Sequence, residues 1–197
     1  MIFKNMLKSF YNGTFIEAGL DEAGRGCLSG PVVASAVILP KYYHHRLLND
    51  SKQLTKKQRE ALQVDIIRDA LAYEIAEVSN QEIDEINILK ASMKAMHLAV
   101  DKLAIRPEHL LIDGNHFPTY PLIPHTCIVK GDTKFLSIAA ASILAKTYRD
   151  DLMESLAKEF PEYGWEQNAG YPTLKHRNAI KEFGVTVHHR LTFRFER

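Results

Sequence analysis

Two strand-like runs bracket a glycine-bearing turn near the start of the chain, and helix and strand patterns alternate after it. Thr14–Leu20 (TFIEAGL) reads as a short strand, and Pro31–Leu39 (PVVASAVIL), rich in Val and Ile, as a buried one. DEAGRGCLSG lies between them and carries Gly24, Gly26 and Gly30, so a hairpin is expected. Thr55 and Gln58 form a capping box at the head of a helix over Thr55–Asp69. Tyr73–Val78 alternates as a strand does. Ser79 and Glu82 make a second capping box, and the helical pattern after it runs to Leu103. Its apolar stripe, Leu89, Met93, Met96, Val100 and Leu103, is expected in the core. Arg106-Pro107 ends that helix. Strands follow at His109–Ile112 and Thr126–Val129, then a helix from Ser137 to Phe160. Ala139, Ala140, Ala141 and Ala145 let this helix pack closely on a sheet. From Tyr163 onward the chain reads as loop with one short helix near Leu174–Phe183. This order predicts an α/β fold. A mixed β-sheet is flanked by helices, antiparallel where it forms early and parallel later, with a C-terminal helical and loop extension.

The 197 residues suit one domain, and no repeat or Pro/Gly/Ser-rich linker divides them. A hydrophobic fraction of 46% with 25% charged residues excludes a disordered chain. No apolar run approaches the ~18 residues of a membrane span, and the first residues lack the apolar block of a signal peptide. Two cysteines, Cys27 and Cys127, form no CxxC and indicate a reducing, cytoplasmic setting. Net charge is only +1, but it is unevenly spread. Residues 41–60 and 175–197 each carry +4, against −4 over 61–108. Two basic blocks on a neutral chain suit a polyanion, although solvated faces often look the same.

The acids of interest follow strands. Asp21 and Glu22 come after the first strand, Asp113 after HLLI, and Asp132 after TCIVKG. In open α/β sheets, sites form at the carboxyl ends of strands. Carboxylates gathered there repel one another and call for a cation. Hard oxygen donors without Cys or His at chelating spacing select Mg²⁺ or Mn²⁺ over Zn²⁺. Such a cluster suits two-metal phosphoryl chemistry. Asp21 and Glu22 are adjacent and point to opposite faces of a strand, so they share a site only if the chain bends or Glu22 reaches around. Gly24 and Gly26 let backbone N–H groups approach a phosphate or ribose, with Arg25 between them as a phosphate partner.

At GLDEAGRG the chain resembles the ribonuclease HII family, the type 2 ribonucleases H. Further segments match in order: GPVVASAVIL, LLNDSKQLT, LLIDGN, VKGDTKFLSIAAASILAKTYRD, YGWEQNAGYPTLKH and HHRLTF. Together they span residues 14 to 193. The resemblance implies an RNase H-like catalytic domain over 1–197, with the extension from about residue 161 completing the substrate groove. It implies two divalent ions, Mn²⁺ or Mg²⁺, and hydrolysis of RNA in RNA–DNA hybrids. DNA duplexes with embedded ribonucleotides are also implied substrates, cut on the 5′ side to leave a 3′-hydroxyl and a 5′-phosphate. The family's four acids fall on Asp21, Glu22, Asp113 and Asp132. Its glycine-arginine-glycine motif falls on Gly24, Arg25 and Gly26, contacting the ribose 2′-hydroxyl and nearby phosphates. Its junction-sensing tyrosine falls on Tyr171, and Ser51 and Lys52 match backbone-phosphate contacts. Metals and acids do not tell RNA from DNA, whereas the 2′-hydroxyl does. Basic blocks 41–60 and 175–197 would then hold duplex phosphates.

Two departures stand out. Ala169 occupies a position that is often lysine, and Thr192 one that is often serine. Other residues have plainer readings. His97 packs or lies at the surface, Cys27 is a bystander thiol, Trp165 anchors the tail, and His188-His189 is a surface pair near phosphate. A ribonuclease HIII-type enzyme is disfavoured, because only 13 residues precede Thr14 and that family usually carries an additional N-terminal domain. A non-catalytic duplex-binding module is expected to have lost an acid. Nothing in the pattern calls for an oligomer.

Overall fold

A computed structural model describes residues 7–48 and 54–195. Five strands form one sheet: β1 (Glu17–Ala23), β2 (Val32–Ile38), β3 (Ala72–Val78), β4 (His109–Asp113) and β5 (His125–Ile128). Their spatial order is β3-β2-β1-β4-β5. β1 pairs antiparallel with β2, and β2 with β3, whereas β1–β4 and β4–β5 are parallel. The mixed sheet expected from the sequence is therefore present. The hairpin closes through residues 24–31, and its register places Asp21 opposite Ser35 and Glu22 opposite Ala34. Both acids lie inside β1, not in the turn beyond it.

Six helices accompany the sheet among the described residues: α1 (Lys56–Asp69), α2 (Asn80–Ile86), α3 (Ile88–Lys102), α4 (Leu136–Glu159), α5 (Trp165–Asn168) and α6 (Leu174–Phe183). β2 is buried along its whole length, with its alternate residues sorted to two layers. Val32, Ala34, Ala36 and Ile38 pack with Ala91, Ala95, Met96 and Val100 of α3. Val37 on the other face packs with Leu62 and Ile66 of α1 and with the alanine run of α4. Period-two alternation supplies one apolar set for each layer. α4 lies so close to β1 that a Cβ at Gly19 would stand 2.2 Å from the Ser137 carbonyl carbon. No side chain fits there, and the small residues of α4 are needed for the same reason.

Thr55 and Gln58 form the expected capping box. The long helix expected from Ser79 to Leu103 is instead two. Asn87 adopts φ 70°, ends α2, and caps α3 by accepting from the Lys90 N–H at 3.1 Å. Asn tolerates this backbone and supplies the cap itself. The Glu82 side chain pairs with Lys94. The buried stripe of α3 also differs from the expected one. Ala91, Ala95, Met96, Ala99 and Val100 face the sheet, while Leu89 is 45% exposed. Close approach to the sheet favours the small residues, while Met96 and Val100 of the expected stripe stay buried and Leu89 lies at the rim. The tail holds α5 as well as α6, and it buries Trp165 completely.

Candidate active site

β1 carries alternating residues to opposite faces, and this sorts the first two acids. Ala18 and Leu20 pack toward α3, so Glu22 follows them, whereas Gly19 and Asp21 face α4. The two meet because β1 reaches its carboxyl end there. Glu22 donates its N–H to Asp21 Oδ1 at 2.7 Å, and both side chains line one open cavity of about 480 Å³. Gly24, Arg25, Gly26, Asp113 and Tyr171 line the same cavity. The sheet order puts Asp113 beside them, since β4 is the parallel neighbour of β1. Asp132 is 2% exposed in the turn after β5 and is not part of that lining. Its neighbour Gly131 donates to Asp113 Oδ1 at 2.7 Å, which ties the two segments together. Ser51 and Lys52 lie outside the described residues.

Asp21 sits among like charges, although Arg25, Arg59 and Lys146 line the same cavity. Burial pushes the Asp21 carboxyl well above the usual range, and the charges of Glu22 and Asp113 add to the shift. A hydrogen bond from the Ser142 side chain and the Glu22 N–H pull it partly back. Among the described residues, no three His, Cys, Asp or Glu side chains are grouped closely enough to hold a metal ion as they stand. The donors present are all hard oxygens, and a divalent cation is what would relieve the crowding around Asp21. The residues therefore fit such an ion in charge and in donor type. Arg25 pairs with Glu22 at 3.0 Å, with its own side chain 53% exposed. An exposed pair of this kind contributes about 1 kcal/mol or less, so Arg25 can exchange Glu22 for a phosphate at small cost.

Several cavity residues were not singled out from the sequence. Ser142 and Lys146 project from α4, one turn apart, and Arg59 projects from α1. Lys146 and Arg59 share Asp150 as partner. Ser142 and Lys146 fall within the long matched segment from Val129 to Asp150, so a signal existed. Arg59 carried none beyond its basic block. Tyr171 is 40% exposed at the cavity rim, and its carbonyl hydrogen-bonds His176 Nδ1 at 3.0 Å.

The tail corrects two expectations. His189 is not a surface residue: it is buried and stands 3.2 Å from His176 Nε2. Trp165 Nε1 donates to that same His176 nitrogen at 3.0 Å. The Thr186 N–H donates to His189 Nδ1 at 2.9 Å. Burial pushes the His189 imidazole down to about 4, with His176 adding to the effect. Arg190 is also fully buried, so His176, His189 and Arg190 leave the basic block available to phosphates. Cys27 is buried, with its thiol pushed up by burial, and it donates to Ala169 O at 3.5 Å. A second groove, about 620 Å³ beside α3, has an apolar floor of Leu89, Met93 and Leu98 and does not include the carboxylates of β1 and β4.

Residues 18–196 match the family model for ribonuclease HII. This chain belongs to the ribonuclease HII family. A ribonuclease HII of Bacteroides thetaiotaomicron is 64% identical over 95% of this chain and 94% of its own length. One from Cytophaga hutchinsonii is 64% identical over 96% and 95%. The crystal structure of ribonuclease H2 from Pyrococcus horikoshii superposes with a TM-score of 0.76 at 29% identity, over 91% of this chain and 94% of that one. The chain is thus a metal-dependent nuclease of the ribonuclease H class with an RNase H-like fold. Asp21 and Glu22 lie at the carboxyl end of β1, Asp113 at that of β4, and Asp132 just beyond β5.

Proposed function

We propose that this ribonuclease HII hydrolyses the RNA strand of RNA–DNA hybrids and nicks duplex DNA on the 5′ side of an embedded ribonucleotide, leaving a 3′-hydroxyl and a 5′-phosphate. The observation that carries this reading is the single cavity joining three carboxylates to the Gly24–Gly26 loop and Tyr171. Chemistry for a phosphodiester thus stands beside groups able to read a 2′-hydroxyl. Asp21, Glu22, Asp113 and Asp132 would hold two divalent ions, Mg²⁺ or Mn²⁺. Bound there, these ions would supply positive charge to the scissile phosphate and activate water for attack.

The chain's own residues do the rest. Gly24 and Gly26 present main-chain groups to the ribose without a side chain in the way, and Gly26 faces open space. Tyr171 offers an aromatic face to the sugar on the other side of the cavity. Such contacts read ribose and ignore base identity, so little sequence preference is expected. Lys146, Arg59 and Arg25 place positive charge along the wall for flanking phosphates, which makes affinity fall with salt. The 1–197 chain acts as one catalytic domain, with the tail from about residue 161 supplying the Tyr171 side of the groove. Two free cysteines suit a reducing compartment.

A labelled DNA duplex with one ribonucleotide tests the reading, incubated with Mg²⁺, Mn²⁺ or EDTA beside an all-DNA control. A metal-dependent nick 5′ to the ribonucleotide, absent from the control, is expected. Binding without a nick on this duplex or on a long hybrid would sink it.

A further inference from the structure

Two guanidinium groups lie wholly inside the protein beneath the Gly24–Gly26 loop. Arg149 of α4 is 1% exposed, and Arg190 of the tail 0%. Their six hydrogen bonds all end on main-chain carbonyls. Arg149 donates to Pro31 O at 3.0 Å, to Ser29 O at 2.9 Å and to Ala169 O at 2.7 Å. Arg190 donates to Gly30 O at 2.9 Å, to Arg25 O at 3.1 Å and to Pro31 O at 3.1 Å. The planar fork of each arginine fixes the angles between the carbonyls it holds. Hydrogen bonds from a charged donor are also stronger than neutral ones. Burial lowers the Arg190 guanidinium only to about 10, so it stays charged at neutral pH.

These contacts join two parts of the chain that must act together. One is the loop that presents Gly24, Arg25 and Gly26. The other is the turn that carries Tyr171, some 145 residues further on. Arg190 holds the Arg25 carbonyl in the middle of the glycine motif, and Arg149 holds Ala169, two residues before Tyr171. Leu28 N–H adds a direct bond to Gly170 O at 2.8 Å. The fit is close: Gly24 has φ +93°, and a Cβ there would stand 2.1 Å from Arg149 Nε. Besides its backbone conformation, then, Gly24 is glycine because a buried arginine occupies the space. The charge has a further effect. A cation on the Arg25 carbonyl polarises the peptide it shares with the Gly26 N–H, which becomes a better donor.

We propose that Arg149 and Arg190 are positioning residues that fix the distance between the glycine loop and Tyr171, and so set how strictly the site recognises a lone ribonucleotide. The inference rests on the activity proposed above. A lone ribonucleotide offers one 2′-hydroxyl, and a site whose two halves drift apart loses it. A long hybrid offers a 2′-hydroxyl at every neighbouring position and tolerates that drift.

The test uses Arg190→Lys and Arg149→Lys in the full chain, which keep the charge and lose the fork. Initial rates are measured on a duplex with one ribonucleotide and on a long hybrid, beside the unfolding midpoint. The ratio of the two rates should fall roughly tenfold or more, because small misplacements of positioning groups cost that much. An equal loss on both substrates, or no change in the ratio, would show a structural role only and overturn the proposal. If neither variant folds, hydrogen exchange on the unaltered chain decides. Segments 25–31 and 169–171 should then open in one step, and independent opening overturns the clamp. Unaltered protein that cuts neither duplex would count against the activity itself, and the exchange measurement would still judge the clamp.

Discussion

Charge is buried on both sides of the loop between β1 and β2, and the two sides treat it in opposite ways. Asp21 is buried against Glu22 and Asp113, so its neighbours share its sign. Arg149 and Arg190 are also neighbours of like sign and share Pro31 O, but each guanidinium is satisfied by three neutral carbonyls. Unpaired ions in the interior are costly unless hydrogen bonds replace water. The arginine side meets that condition with the protein alone. The carboxylate side also has protein partners, but it keeps like charges beside Asp21, and a divalent cation would relieve that crowding. Stability and reactivity are thus separated by the few residues from Gly24 to Pro31.

The sharpest way to break this contrast is Asp21→Asn. Cleavage should fall by roughly 10³-fold or more, as when a centre of electrostatic stabilisation is removed. Stability at pH 7 should hold or rise. The Asp21 carboxyl is raised in the folded state, so its ionised form opposes folding; that stability is present at low pH and is lost as pH rises through the folded value. Urea unfolding at pH 7 checks the second half, and a destabilised variant would remove the distinction drawn here.

Arg190→Ala tests the other side. It leaves the Arg25 and Gly30 carbonyls without this donor and opens a void, at a cost of roughly 3–5 kcal/mol by denaturant titration. A loss below about 1 kcal/mol would mean that water replaces the fork.

A third measurement concerns the buried histidines, which behave as a neutral counterpart to Asp21. The His189 imidazole is lowered to about 4, so its neutral form favours folding. That contribution is present above the unfolded value and is lost as pH falls toward 4. Between pH 7 and pH 4 the loss should be about 2–3 kcal/mol, and His189→Gln should flatten that part of the profile. Equal slopes in both proteins would show that His189 protonates without strain.

Tyr171→Ala should have the smallest effect on folding, below about 1 kcal/mol, because the ring is half-exposed at the rim. Preference for a lone ribonucleotide should nonetheless drop roughly tenfold, the size of a lost aromatic stacking contact. A variant that unfolds would make Tyr171 part of the tail's packing.

Much of the fold was legible in local patterns. Period-two runs marked the strands, Thr55 with Gln58 marked the start of α1, and the glycine turn marked the hairpin. The break at Asn87 was not, since the helical periodicity continues across it and only the left-handed backbone reveals the change. Of the stripe expected on α3, Met96 and Val100 are buried and Leu103 packs against the core, but Leu89 is exposed and the alanines were not foreseen. At short helix–sheet distance it is Ala91, Ala95 and Ala99 that fit. At the site, Asp21, Glu22 and Asp113 stood out because acids near strand ends are expected at the carboxyl edge of a sheet.

What the sequence determined by itself was most of the elements, their order, and the candidate acids and glycines of the cavity. The tertiary structure alone decided which charges face the cavity and which face the core. Arg190 and His189 look like a basic surface when read along the chain, yet both are buried under the loop they support. Burial depends on partners distant in the sequence. The carbonyls of Arg25, Gly30 and Pro31 become partners for Arg190 only once the sheet, α4 and the tail have closed around them.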